Sequence, residues 1–163
     1  RVDLVAMDRT QQAQVSGITG PRLLPTVADA LAVVEPKLVE ADWPGIVSEV
    51  MRRVTQRSLV VLLTAIEPAA AESGLLDAIV PLAAKHTVVV ASVRDEELAE
   101  LASRRGSVAD VFDAAAAERT MLERLAVIEL IRLAGADVVD ELPTSLAPAL
   151  ADKYLALKAA GKL

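Results

Sequence analysis

The chain has 163 residues, a length typical of a single folded domain. Hydrophobic residues make up 53% of it and charged residues 25%, a composition far from that of disordered chains. The net charge of −6 and the near absence of aromatic residues argue against nucleic-acid binding. The absence of cysteine excludes a disulfide scaffold, a thiolate nucleophile and a cysteine zinc site.

The first part of the chain predicts a hairpin followed by two helices. Val2 to Met7 has the pattern of a strand, and Thr10 to Val15 carries polar residues at alternate positions, as an edge strand does. Apolar residues at helical spacing then predict a helix from Leu23 to Val34 that Pro36 stops. Asp42 is a good N-cap, and it predicts the start of a second amphipathic helix.

From residue 59 onward, apolar strand patterns alternate with helical patterns of about ten residues or more. The predicted elements are strand Leu59 to Leu63, helix Pro68 to Lys85, strand Thr87 to Val93, helix Arg94 to Arg104, helix Val108 to Ala134 capped by Ser107, strand Asp137 to Asp140, and helix Ser145 to Ala160. This alternation requires parallel strands joined by right-handed crossovers. The predicted fold is therefore α/β, a three-layer α/β/α Rossmann-like sheet, mostly parallel with one antiparallel edge strand.

No apolar run approaches the ~20 residues that cross a bilayer, so the chain itself is expected to lie outside the membrane. The chain begins with Arg1, and a strand pattern follows at once from Val2. We therefore predict a fragment cut inside a domain, with residues 1–163 forming a single domain truncated at its N-terminus.

In α/β sheets of this kind, ligands bind at the carboxyl ends of the strands. The residues expected there are Asp8, Thr64 to Glu67, Ser92 to Asp95 and Asp140, together with Asp42 if its loop lies at the same edge. Two carboxylates and a threonine at one edge could hold Mg²⁺, which prefers oxygen ligands. A solvated acidic loop whose aspartates and serines cap helices explains the same residues.

The single histidine, His86, lies between a helix end and a strand start, at the opposite edge of the predicted sheet. We expect it to be a helix C-terminal or surface residue rather than a catalytic base. The sequence contains no Gly-x-Ser-x-Gly motif to position a serine nucleophile. No catalytic residue is predicted.

Several segments resemble one bacterial family. They are Arg1 to Asp8 with the polar edge strand after it, Val34-Glu35-Pro36, Ser58-Leu59-Val60-Val61-Leu62-Leu63-Thr64, and the closing helix LAPALADKYLALKAAGKL at residues 146–163. These segments resemble the von Willebrand factor A-like domain of proteins in domain-of-unknown-function family fifty-eight. The resemblance spans nearly the whole chain.

The resemblance implies a cytoplasmic domain in a membrane-anchored parent, encoded beside MoxR-type AAA+ ATPases and acting as their adaptor. Von Willebrand A domains bind Mg²⁺ through an Asp-x-Ser-x-Ser loop, a threonine of a second loop and a Thr-Asp pair. The first loop would precede Arg1, the second falls near Asp42 and Trp43 without a threonine, and the pair reads Thr64-Ala65. The resemblance therefore implies a degraded metal-ion-dependent adhesion site without a cofactor, where Mg²⁺ binds only if the upstream part supplies ligands.

Together these observations predict a non-enzymatic protein–protein interaction domain. The expected contact residues at the strand ends are Asp42, Trp43, Thr64, Glu67 and Asp95. An exposed tryptophan beside acidic loops would suit an interaction hot spot, although Trp43 would equally suit a plug between the helix start and the core.

The resemblance also implies a missing first strand, because in the family's fold that strand lies between those at Val2 to Met7 and Leu59 to Leu63. Its absence would leave these two strand edges unpaired. Exposed apolar edges recruit other strands, so we expect homo-oligomers through these edges or a rearranged sheet. The alternative function is a Mg²⁺-dependent hydrolase that uses acidic residues at the carboxyl ends of the strands.

Overall fold

Five strands form two separate sheets in a computed structural model that describes residues 2–35, 37 and 39–163. An antiparallel pair contains β1 (Val2–Met7) and β2 (Gln11–Ile18), and a parallel sheet has the order β3 (Leu59–Leu63), β4 (Thr87–Val93), β5 (Asp137–Glu141). The helices are α1 (Leu23–Leu31), α2 (Trp43–Arg53), α3 (Pro68–Ala70), α4 (Leu76–Lys85), α5 (Glu96–Ser103), α6 (Val108–Leu133) and α7 (Pro143–Ala159). The predicted mixed α/β class with a parallel sheet is confirmed.

The chain divides into two compact units, Arg1–Val50 and Met51–Leu163. The boundary falls inside α2, so that helix contributes residues to both units. The prediction of a single domain over residues 1–163 stays a prediction.

In the N-terminal unit, β1 and β2 form a hairpin on which α1 packs. The alternation of apolar and polar residues explains why β2 is a strand. Ala13 and Val15 are buried, while Gln14 between them is exposed. Helix α1 ends at Leu31, three residues earlier than predicted, after which the chain turns. The predicted stop at Pro36 lies outside the described residues.

In the C-terminal unit, β3 and most of β4 are apolar, as expected of strands covered on both faces, whereas β5 carries Asp137, Asp140 and Glu141 around its two valines. On one face, Val89, Ala91 and Val139 pack against Leu157 of α7. Side chains that point the other way, such as Val90, are also fully buried, and α4 and α6 contact β4 and β5. The three parallel strands are therefore the centre of this unit.

The segment between β3 and α4 differs from the prediction of one helix from Pro68 to Lys85. A π-helical turn, Ala71–Leu75, follows α3, and within it Gly74 has φ +111°. Backbone at this φ is not helical and favours glycine, so the helical run is interrupted there. The predicted single helix is wrong in this respect, and α4 begins only at Leu76.

Among the described residues, none of the helices combines the length and the hydrophobicity that a bilayer crossing requires.

Candidate functional site

The carboxyl ends of the three parallel strands meet at one edge of the sheet, held in register by backbone hydrogen bonds. The Thr64 N–H donates to the Ala91 carbonyl at 3.1 Å, joining the end of β3 to β4. The Arg94 N–H donates to the Glu141 carbonyl at 2.8 Å, joining the end of β4 to β5. This edge is the position where ligands bind in open α/β sheets, so its polar groups define the candidate site.

A single arginine of α6 reaches all three strand ends. The Arg124 guanidinium donates two hydrogen bonds to the Asp140 carboxylate of β5, at 2.6 and 3.2 Å. It donates further hydrogen bonds to the Ser92 hydroxyl at 2.9 Å and the Val93 carbonyl at 3.0 Å in β4. Its Nη1 donates to the Ile66 carbonyl beyond β3 at 3.2 Å. We call Arg124 and these four partners the arginine cluster.

The ion pair inside the arginine cluster is largely shielded from water. The Arg124 and Asp140 side chains are only 17% and 13% exposed, and Ser92 is buried. A two-point pairing of guanidinium and carboxylate combines charge attraction with a fixed geometry. Both oxygens of the Asp140 carboxylate therefore face a cation supplied by the protein, which leaves this carboxylate without a free charge for a ligand.

Three of the predicted contact residues lie at the same edge. Thr64 is half-buried, and its N–H belongs to the backbone ladder. Glu67 is exposed at the start of α3, and its side chain makes no capping bond. Asp95 is exposed and caps α5, because its carboxylate accepts a hydrogen bond from the Glu97 N–H at 2.9 Å. The capping interpretation is confirmed for Asp95.

The other two predicted contact residues lie at the start of α2, in the N-terminal unit. The Asp42 carboxylate accepts a hydrogen bond from the Gly45 N–H at 3.0 Å, so Asp42 also acts as a helix cap. Trp43 is only 5% exposed. The exposed-tryptophan interpretation is wrong, because the ring is removed from solvent at the first residue of the helix. That all five residues share one surface stays a prediction.

Asp8 has a local role in the β1–β2 turn. Its carboxylate accepts hydrogen bonds from the Thr10 backbone N–H at 2.7 Å and from the Gln12 side chain at 3.0 Å. The Thr10 N–H is the main reason that the pKa of Asp8 is lowered, with side-chain hydrogen bonds adding to it. The charged carboxylate organises a turn, as aspartate commonly does.

His86 is the C-cap residue of α4, which confirms the predicted position at a helix C-terminus, and it is buried rather than at the surface. It is 2% exposed, with no hydrogen-bond partner for either ring nitrogen among the described residues. Burial lowers its pKa, and the nearby charge of Lys85 lowers it further. The imidazole is therefore neutral near pH 7, at the amino end of β4 and away from the arginine cluster.

A groove of about 620 Å³ runs beside β5 between α6 and α7. Its basic side chains are each within 3.0 Å of an acidic partner, namely Arg94 with Glu141, Arg132 with Glu129, and Lys153 with Asp137. These three ion pairs neutralise the basic side chains that line the groove.

The part of the chain that the structure describes contains no cluster of side chains suited to binding a metal ion. Within residues 2–35, 37 and 39–163, no three His, Asp or Glu side chains lie close enough together to hold an ion. At the strand ends, the Ile66 carbonyl, the Ser92 hydroxyl and the Asp140 carboxylate instead accept hydrogen bonds from Arg124.

Sequence reasoning named Asp140 and Ser92 at this edge but missed Arg124. A signal existed, because Arg124 lies seven residues from both Ala117 and Ile131 and therefore on the core-facing side of α6. A cation on an apolar face requires a buried acidic partner. Asp140, an acid at the end of an apolar strand, was the natural candidate.

Comparisons with protein-family models, with curated proteins and with solved structures give no match for this chain. The resemblance to von Willebrand A-like domains therefore stays a prediction, and the function is argued from the geometry of the site.

Proposed function

We propose that this chain is a non-enzymatic protein–protein interaction domain of the von Willebrand A-like type, with a three-layer α/β/α arrangement. In this proposal it serves as an adaptor for a MoxR-type AAA+ ATPase, as the cytoplasmic part of a membrane-anchored parent. The observation that carries the proposal is the arginine cluster, which fills the place where such folds bind a metal or a substrate.

The arginine cluster supports an interaction domain over the alternative of a Mg²⁺-dependent hydrolase. A hydrolase of that kind needs carboxylates that are free to hold the ion. Here Asp140 already pairs with Arg124, while Asp95 and Asp42 cap helices. The Arg124 guanidinium supplies the positive charge that a bound metal ion would supply. Unlike a metal ion, it cannot exchange one of its ligands for a group of a partner protein, which fits a degraded adhesion site.

In the C-terminal unit, the proposed contact surface at the strand ends is acidic and polar, since Glu67 and Asp95 are exposed beside Thr64. Asp42, exposed at the start of α2 in the N-terminal unit, is a separate proposed contact residue. An acidic surface favours a partner with basic residues, chiefly through faster association and correct orientation. Trp43 contributes by holding the start of α2 in place, since its ring is buried.

A charge reversal at Glu67 tests this surface. Glu67→Arg should weaken binding of the purified chain to a purified MoxR-type AAA+ ATPase by about tenfold, because it places a cation against a basic partner. Asp152→Arg, an equal charge change at an exposed residue of α7, is the matched control and should leave binding unchanged. Equal effects of the two variants, or no binding by the unmodified chain, would refute the proposed surface.

The open edge of β3 is a second part of the proposal. In the described part of the chain β3 pairs only with β4, and the bond from Thr87 to the Ser58 carbonyl fixes which groups face β4. By alternation, the backbone groups of Leu59, Val61 and Leu63 face away. We propose that this edge pairs with the same strand of a second copy.

Lysine is a residue that proteins use to block strand edges. Leu63→Lys, at a side chain that is 66% exposed, should therefore reduce self-association measured by sedimentation velocity. Val80→Lys is a matched control, because Val80 is an exposed apolar residue of α4. If the sedimentation coefficients of the two variants match at every concentration, the β3 edge is not the contact.

A further inference from the structure

Helix α6 is apolar on two opposite faces. One face carries the buried residues Ala114, Ala117, Val127, Ile128 and Ile131, which pack in the C-terminal unit. The other face exposes large apolar side chains, among them Val108 (76% exposed), Phe112 (73%), Leu122 (67%) and Leu133 (83%). A cluster of large apolar side chains this exposed on the surface of a folded chain commonly marks a site of contact with another protein. The exposed face of α6 is therefore the surface to match with a partner.

The exposed face follows the spacing of a coiled coil. Its central positions are Val108, Phe112, Ala115, Arg119, Leu122, Ala126, Glu129 and Leu133, and the intervals between them alternate between four and three residues. This is the repeat that keeps a continuous seam facing another helix. We call these eight residues the outer stripe.

We propose that the outer stripe binds the outer stripe of a second copy of the chain, with the two helices antiparallel around a two-fold axis. The central positions are symmetric about the midpoint between Arg119 and Leu122. In the antiparallel pair the layers are Val108 with Leu133, Phe112 with Glu129, Ala115 with Ala126, and Arg119 with Leu122, each residue facing the partner copy's. The positions of the stripe are thus related by two-fold symmetry, as a two-fold contact requires.

Charge selects the antiparallel direction. A parallel pair would set Arg119 against Arg119 and Glu129 against Glu129, and like charges in the seam oppose association. In the antiparallel pair, Arg119 lies at the level of the partner copy's Leu122, next to its Glu123, while Glu118 keeps its own ion pair with Arg105. Within one copy Arg119 already pairs with Glu123 at 2.8 Å while 81% exposed, so it can turn to the second copy at little cost.

The size of the outer stripe is sufficient for a specific contact. The 26 residues of α6 extend over about 39 Å. Covering the exposed apolar side chains of both copies removes about 1,000 Å² from water in total, near the lower limit of stable interfaces. We therefore expect a reversible contact between copies, separate from any pairing at the β3 edge, whose population depends on concentration.

Two measurements on the full chain test this dimer. Leu122→Arg should raise the dimer dissociation constant, measured by sedimentation equilibrium, by about tenfold or more, because it sets a cation against the partner copy's Arg119. Leu155→Arg is the matched control, since Leu155 is an apolar residue of α7 that is 59% exposed. It should leave the dissociation constant unchanged.

Crosslinking can determine the relative direction of the two α6 helices. Because the chain contains no cysteine, an introduced cysteine is the only thiol available to the reagent. Val108→Cys and Leu133→Cys proteins, mixed and treated with a short bismaleimide, should crosslink mainly to each other. Crosslinking of each variant mainly to itself would overturn the antiparallel arrangement.

Two other outcomes would overturn the dimer itself. A chain that stays monomeric at high concentration would refute the contact between two copies. A dimer that Leu63→Lys dissociates but Leu122→Arg does not would place self-association at the β3 edge.

Discussion

The Arg124 guanidinium lies 2.6 Å from the Asp140 carboxylate and joins α6 to the end of β5. Through Ser92 and Ile66 the same guanidinium also holds the end of β4 and the segment after β3. One side chain therefore fixes the edge of the sheet at which this class of fold usually binds ligands. The first prediction concerns what happens when it is removed.

Arg124→Met should lower the free energy of unfolding by about 3–5 kcal/mol, because it leaves the buried Asp140 carboxylate without its counter-charge. Urea denaturation at pH 7 measures this loss. Arg94→Met is the matched control at the same edge, where the pair with Glu141 is about half exposed and worth at most ~1 kcal/mol. Equal losses in both variants would show that the arginine cluster is not a buried pair.

The second prediction separates capping from charge at Asp95. Asp95→Ala should lower the free energy of unfolding by about 1 kcal/mol, since the Glu97 N–H loses its acceptor. Asp95→Asn should be nearly neutral for stability, because asparagine caps helices equally well. Thermal unfolding of the two variants distinguishes them. If the proposed contact surface uses this charge, Asp95→Asn should still weaken partner binding.

The third prediction concerns pH and His86. Because burial lowers the pKa of His86, the unfolded chain takes up a proton at a higher pH than the folded chain. Stability is therefore complete above about pH 6.5 and falls as the pH decreases below that value. Urea denaturation at a series of pH values should show this fall, and a His86→Leu variant should lack it. A fall of the same size in His86→Leu would assign the effect to carboxylates instead.

The fourth prediction concerns the end of α6. Gly135 has φ +100°, and its N–H and that of Ala136 donate back to the carbonyls of Arg132 and Ile131, which closes the helix. Gly135→Ala should lower the free energy of unfolding by about 1 kcal/mol or more, since an added Cβ would also lie 3.2 Å from the Ala83 Cβ. Gly161→Ala measures the cost of a positive φ without a steric clash, because no atom lies within 4 Å of the position of its added Cβ. The loss at Gly135 should be the larger of the two.

Short-range features of the fold were predictable from the sequence. Strands β3 and β4 have the predicted bounds, because a continuous apolar run between turn residues indicates a buried strand. The cap at Ser107 is also confirmed, since its hydroxyl accepts from the Asp110 N–H at 3.1 Å. A cap depends only on residues within one turn, which the sequence displays directly.

Features that depend on distant residues were not predictable in the same way. The Arg124–Asp140 pair joins positions 16 residues apart through packing of α6 on β5, and the burial of Trp43 is likewise decided by tertiary packing. The break at Gly74 was missed because an isolated glycine is tolerated inside many helices. For the candidate site, the sequence identified the acids and their edge of the sheet, but not the cation that neutralises one of them.

The thermal unfolding midpoint of the chain in EDTA and in millimolar Mg²⁺ tests the central claim most directly. The claim is that Arg124 occupies the place of a cation at the strand ends, so the midpoint should be the same in both buffers. An ion present at 100 times its dissociation constant would add about 2.7 kcal/mol to stability and raise the midpoint by several degrees. A midpoint raised by Mg²⁺ and restored by EDTA would contradict the account and favour the metal-dependent alternative.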